Sequence, residues 1–419
     1  MIFFVRSVCC DKRVDMVILI CSQIVERMEH FRYIVVGAGI EGSWAAYQIV
    51  RDEEKPSVLL LEQYHLPHNR GSSHGQSRII RHAYAESFQA ALMPYSYKEW
   101  RQLEKDAGVD LLVTKPLLCV SDETGYERVD RTLACLKELK EKPGNDVAFK
   151  ELSPAELAAN FPQAKFPNNR RAFVEYSAGI LYADKCLMAV QNQFRKHGGV
   201  IRDGFEVTRI IPGKIVVIEG VCKGRTVKLT ADKVALCPGP WAKKMVEPLL
   251  KGIRLPLKVY RVPVYYWKVK KNGPGVITVI YKDLGAGDFW SIPEIEYKDL
   301  VKYSSNLILY EIDPDNRDLN AEQTQPPQLA RHLRDHFPGM EETPSILETC
   351  IYTSTPDEVF ILDIIPGSAN IAYACGFSGS GFKKAPSVGL MLKEILKPRT
   401  KMSFDETPFS VSRFMKSQL

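Results

Sequence analysis

The sequence predicts an α/β protein: a helix-flanked parallel sheet, joined to an α+β part built on a mixed sheet. Three observations carry this reading. Between Phe31 and Glu62 a β-branched apolar strand, a glycine-rich turn, a stretch of helical periodicity and a second strand follow in order. Further along, Leu257 to Val269 and Val276 to Tyr281 are rich in alternating β-type residues. Composition is that of an ordinary globular chain, 45% hydrophobic and 25% charged over 419 residues. At roughly 150 residues per domain, this length allows two to three domains.

The first unit can be justified residue by residue. Tyr33-Ile34-Val35-Val36 is a buried-strand run, and Gly37-Ala38-Gly39-Ile40-Glu41-Gly42 follows it. Gly37 permits the tight turn, Gly39 lets backbone approach a pyrophosphate, and Gly42 lets helix and strand pack closely. Ser43 to Val50 has helical spacing, and the helix start offers free N–H groups to phosphate. Val58 to Leu61 is the second strand, and Glu62 stands where a carboxylate accepts hydrogen bonds from ribose hydroxyls. This order points to a Rossmann-type dinucleotide site. FAD and NAD both satisfy it.

Other signals exclude more than they specify. The chain has 56 Lys and Arg against 50 Asp and Glu, and a net charge of +6 spread without a basic run does not argue for nucleic acid. The ten cysteines are irregularly spaced and include no C-x-x-C pair, so neither a disulfide framework nor a metal site is expected. The apolar patch Met16 to Cys21 is too short for a membrane span, and residues 1–30 read as an appendage outside the fold. The chain ends Ser417-Gln418-Leu419, a weak variant of the peroxisomal Ser-Lys-Leu address. It implies an import receptor as partner and a peroxisomal location, with the cytoplasm as the alternative.

Pro67 to Tyr84 reads as a loop, opening on small and polar residues and dense in cations. The string Gly71-Ser72-Ser73-His74-Gly75-Gln76-Ser77-Arg78-Ile79-Ile80-Arg81-His82-Ala83-Tyr84 resembles a hallmark of the monomeric sarcosine oxidase and L-pipecolate oxidase family of FAD-dependent amine oxidases. Three further stretches resemble that family: Val234 to Trp241, Cys350 to Glu358 and Gly376 to Lys383. The likeness runs from about Tyr33 to about Arg413.

The resemblance implies FAD attached covalently through Cys350 at the flavin 8α-methyl. It implies that Arg81 and Lys383 bind a substrate carboxylate, a guanidinium gripping it in bidentate fashion and an ammonium adding a point charge. Lys302 matches a lysine over the flavin that assists O2 reduction, and His74 and Arg78 complete the flavin-side loop. Gly37, Gly39, Gly42, Glu62, Ser73, Arg78, Val207, Gly239, Trp241, Gly379, Gly381 and Lys383 are expected to contact the cofactor, with Lys383 in a turn before a helix starting near Pro386. The implied reaction is oxidation of a secondary amino acid (sarcosine, L-pipecolate or L-proline type) to an imine, with O2 reduced to hydrogen peroxide by a monomer. A related dehydrogenase with another acceptor and a catalytically altered flavin protein are the alternatives. The second of these is motivated by Asn306 and Ser380 where the family often has histidine, and Trp290 in place of a tyrosine is a further departure.

As in that family, the FAD domain is expected to be discontinuous, comprising 31–120, 178–254 and 357–400. The substrate domain would then comprise 121–177 and 255–356, with 401–419 as a surface tail.

Overall fold

The strand–glycine–helix–strand unit forms as Glu29–Val36, Ile40–Val50 and Val58–Leu61. The computed structural model describes residues 28–270, 277–281, 288–306, 309–317, 327–397 and 401–417. Most of the expected N-terminal appendage, and Gln418 and Leu419 of the terminal tripeptide, lie outside the described residues. Tyr33 pairs in parallel with Val58 and Val36 with Leu61, and on its other side the same strand runs parallel to Arg225–Leu236. The eight-stranded sheet is ordered Phe205–Ile211, Val216–Cys222, Arg225–Leu236, Glu29–Val36, Val58–Leu61 and Val200–Arg202. Ile371–Cys375 also pairs with Arg225–Leu236, and Ile361–Ile364 pairs with it in turn.

Every residue of the helix Ile40–Val50 is buried. Its outer face is covered by the helix Gly381–Leu396 from the far end of the chain. The two backbones come so close at Gly389 that a Cβ there would stand 2.8 Å from Trp44 main-chain atoms. A helix hydrophobic on all sides is buried on all sides. Two sequence expectations are corrected here. The C-terminal helix begins at Gly381, not near Pro386, which lies inside it. Proline there removes one intrahelical hydrogen bond, at a cost of about 3 kcal/mol that tight packing offsets. Likewise, the expected loop at 67–84 contains the strand Ser77–Ile80, because Ile79 and Ile80 find an antiparallel partner in Gly179–Tyr182, about a hundred residues on.

The second sheet has nine strands and is mixed. Its order is Tyr310–Glu311, Lys258–Val269, Leu300–Ser305, Phe289–Tyr297, Ile277–Tyr281, Leu117–Ser121, Arg171–Glu175 and Phe149–Leu152. Met340–Ser354 lies antiparallel along the other side of Lys258–Val269. Ile277–Tyr281 and Leu117–Ser121 are its parallel pair. Leu117–Ser121 already belongs to this sheet, so the chain crosses between sheets ahead of residue 121.

Candidate active site

A cavity of about 2230 Å³ separates the two sheets. Of the residues singled out from the sequence, it is lined by Gly37, Gly39, Glu62, Ser73, His74, Arg78, Arg81, Val207, Gly239, Trp241, Trp290, Lys302, Asn306, Cys350, Gly379, Ser380, Gly381 and Lys383. Gly42 stands behind this wall. A Cβ on Gly42 would be 1.9 Å from the Gly37 carbonyl oxygen, so its role is helix–strand packing.

At the nucleotide end, Gly37 has φ +97° and a Cβ there would lie 2.2 Å from the Cys237 carbonyl oxygen. The glycine turn is held from outside. The Ala38 N–H donates to Glu62 Oε2 at 2.9 Å, and the Ile40 N–H donates to Ser73 Oγ at 3.0 Å. Glu62 Oε1 accepts from the Tyr64 N–H at 3.1 Å and lies 3.3 Å from His68 Nε2. Trp241 donates from its indole to Asp315 Oδ1 at 2.6 Å, and its ring stands 5.6 Å from that of Tyr64.

The ring end is built by strand register. Lys302 pairs with Tyr266 and with Ile292, and Cys350 pairs with Val262. Side chains two apart in a strand share a face. Lys302, Trp290, Cys350 and Tyr352 therefore come from three strands to one face of the mixed sheet, over the glycine-rich floor. Lys302 is buried and Lys298 exposed, which separates the two lysines of that stretch.

His74 lies with its Nδ1 2.8 Å from the Gly71 carbonyl oxygen. Burial alone would raise the Cys350 thiol, but the His74 hydrogen bond and the charges of Arg78, His74 and Lys302 hold it below its ordinary value. The imidazole is shifted up in return: the Cys350 thiolate outweighs the desolvation that opposes its charge. Arg78 donates to the carbonyls of Ser77 (2.7 Å), Ser72 (3.0 Å) and His74 (2.6 Å). Its hydrogen bonds thus staple the loop, while its charge still reaches Cys350.

Arg81 and Lys383 supply positive charge to the cavity wall. Burial pulls the Lys383 ammonium down to about 7, and Arg81 and Arg78 push it the same way. An anion between two such cations would relieve their mutual repulsion. Asn306 lines the cavity and donates its N–H to the Asp288 carbonyl at 3.0 Å. Ser380 accepts from Lys384 Nζ at 3.3 Å.

Several residues of this site were not foreseen. Lys302 Nζ contacts Glu296 Oε1 at 2.8 Å and Ser77 Oγ at 3.4 Å. Glu41 is buried with both carboxylate oxygens lacking a protein hydrogen bond, and burial raises its carboxyl well above the usual range. Thr353 Oγ1 and Ser378 Oγ are buried and likewise unpaired, and all three residues line the cavity. Orphaned polar atoms in a large cavity fit a polar, ring-bearing cofactor such as FAD. Among the described residues no cluster of His, Cys, Asp and Glu is arranged for a metal, and no helix is long and apolar enough to cross a membrane.

Comparison with known proteins agrees with this site. A peroxisomal sarcosine oxidase of Mus musculus is 38% identical over 395 residues, covering 91% of this chain and 95% of its own. A monomeric sarcosine oxidase of Bacillus sp. (strain NS-129) is 29% identical over 395 residues, covering 92% and 97%. The crystal structure of L-proline dehydrogenase from P. horikoshii superimposes with a TM-score of 0.75 at 18% identity, covering 93% and 99%, a likeness of fold. The family model described as DAO, FAD dependent oxidoreductase, matches residues 32–395. The chain belongs to the family of FAD-dependent oxidoreductases, and FAD is its cofactor.

Proposed function

We propose that the protein oxidises a small secondary amino acid of the sarcosine, L-pipecolate or L-proline type, using O2 as acceptor. The observation that carries this reading is the pair Arg81 and Lys383 in a cavity wall that also holds Lys302 and Cys350. Bound FAD supplies a two-electron acceptor for the hydride on the carbon beside the substrate nitrogen, leaving an imine, and returns the electrons to O2 as hydrogen peroxide. Gly37, Gly39, Ser73, Val207, Gly239 and Trp241 would hold its nucleotide end, and Gly379 and Gly381 its ring end. Glu62 fixes the glycine turn and keeps a face to the cavity.

Arg81 and Lys383 bind and orient the carboxylate, so that the substrate nitrogen and its neighbouring carbon are presented to the ring. The fixed charge of Lys302 favours the negative charge that O2 acquires. Cys350, with its lowered thiol, is the point of covalent attachment, and His74 is the base that readies it. Trp290, Asn306 and Ser380 shape the pocket in which the substrate side chain is selected. Peroxide formation gives Ser417-Gln418-Leu419 a rationale as a peroxisomal address, read by an import receptor.

The test is an absorbance spectrum before and after acid precipitation, with peroxide assays on sarcosine, L-pipecolate and L-proline. Yellow colour retained in the pellet and peroxide formed with one of the three are expected. Colour released to the supernatant removes Cys350 as the link, and bleaching without peroxide removes O2 as the acceptor.

A further inference from the structure

We propose that Glu296, Tyr266 and Glu348 form a proton-entry route to Lys302, supplying from solvent the proton that O2 reduction consumes; this rests on the oxidase reading above. The route is a continuous row of hydrogen bonds. Lys302 Nζ is 2.8 Å from Glu296 Oε1, Glu296 Oε2 accepts from the Tyr266 hydroxyl at 2.6 Å, and that hydroxyl is 2.9 Å from Glu348 Oε2. Glu348 Oε1 accepts from the Tyr297 hydroxyl at 3.0 Å. The inner end is dry: the side chains of Lys302 and Glu296 are 6% and 4% exposed. The outer end, Glu348 and Tyr297, is half-buried and meets solvent.

Two features make this row more than a structural ion pair. Tyr266 has one hydroxyl proton and two carboxyl groups within hydrogen-bond distance, so it can give its proton to one while taking a proton from the other. Burial and both carboxylates push the Tyr266 phenol far above its ordinary range, so it stays protonated and passes protons without becoming a tyrosinate. Glu296 is aimed at this point by a break in strand register between Ile292 and Tyr297, and such bulges re-aim side chains beside active sites.

The chemistry balances. Reducing O2 to hydrogen peroxide takes two electrons and two protons. The reduced flavin provides both electrons and one proton, from its N5 hydrogen. The other proton leaves Lys302 Nζ for the nascent peroxide. A proton from solvent enters at Glu348 and is passed through the Tyr266 hydroxyl to the Glu296 carboxylate, which Lys302 otherwise holds ionised against its burial, and the protonated Glu296 restores the ammonium.

The test uses the holoenzyme carrying Tyr266→Phe, which cuts the row but leaves the Lys302–Glu296 pair, and Glu348→Gln, which cuts it one step further out. After anaerobic reduction by substrate, reoxidation by O2 should slow about tenfold or more in both variants, while reduction stays near the wild-type rate. The solvent deuterium isotope effect on reoxidation should rise with it. Sulfite affinity of the oxidised flavin, a binding measurement, should be unchanged in Tyr266→Phe and tighten about tenfold in Glu296→Gln, where Lys302 loses its counter-charge. Wild-type reoxidation in either Tyr266→Phe or Glu348→Gln overturns the route. If the wild-type protein itself reoxidises no faster than free flavin, the oxidase reading falls and takes the route with it.

Discussion

Glu175 accepts hydrogen bonds from the backbone N–H groups of His82 and Ala83 at 2.8 and 3.0 Å, and so fixes the turn that begins at Arg81. Its carboxylate is fully buried and also contacts His82 Nδ1 at 2.9 Å, with the imidazole stacked on Tyr97 at 4.2 Å. Removing a buried acceptor from two main-chain donors costs about 2 to 5 kcal/mol, since the donors are left unpaired. Glu175→Ala is expected to lower the thermal midpoint. In the folded fraction it should raise KM for the amino acid more than it lowers kcat, read by steady-state kinetics.

Cys350→Ser is expected to bind FAD and to release it on acid precipitation. His74→Ala keeps the thiol but removes the group that most strongly lowers it. Less thiolate is then present at neutral pH, so attachment of added FAD to the flavin-free protein should slow and recover as pH is raised. Time courses of acid-stable absorbance at two pH values check this.

Lys383 provides a prediction about stability and pH. Its folded value of about 7 lies below that of a lysine in the unfolded chain, near 10.4. Between these values the unfolded chain binds the extra proton, so the lysine penalises folding more as pH falls, down to about 7, and by a constant amount below. In the flavin-free protein, Lys383→Met is expected to be more stable than wild type by a margin that widens from pH 10 to pH 7. Denaturant midpoints across that range decide it. The same variant should raise KM about tenfold or more, and a bound carboxylate should favour the ammonium and shift its titration upward.

Gly42→Ala places a Cβ 1.9 Å from the Gly37 carbonyl oxygen. The floor of the nucleotide site would have to move, and loss of FAD retention on gel filtration is the expected result.

How much of this was legible in the sequence depends on the range over which each signal acts. The turn from Gly37 to Gly42 is a local device, and its neighbours in sequence are its neighbours in space. Arg81, Lys302, Cys350 and Lys383 were reachable through family resemblance, because nothing local marks an isolated cation or thiol as facing a cavity. Glu296 was out of reach. It meets Ser77, 219 residues away, and a register break beside it spoils the alternation that would have given its face. Pro386 misled for the opposite reason: proline is a strong local signal, overridden here by the packing of its helix on Ile40–Val50.

That packing has a consequence for biosynthesis. The helix Ile40–Val50 is buried at every residue, and the cover for its outer face, Gly381–Leu396, is translated more than three hundred residues later. The nucleotide floor therefore cannot close during elongation. Until Gly381–Leu396 emerges, the nascent chain carries an open, largely apolar surface, a natural client for chaperones. The closed floor that retains FAD therefore waits on Gly381–Leu396.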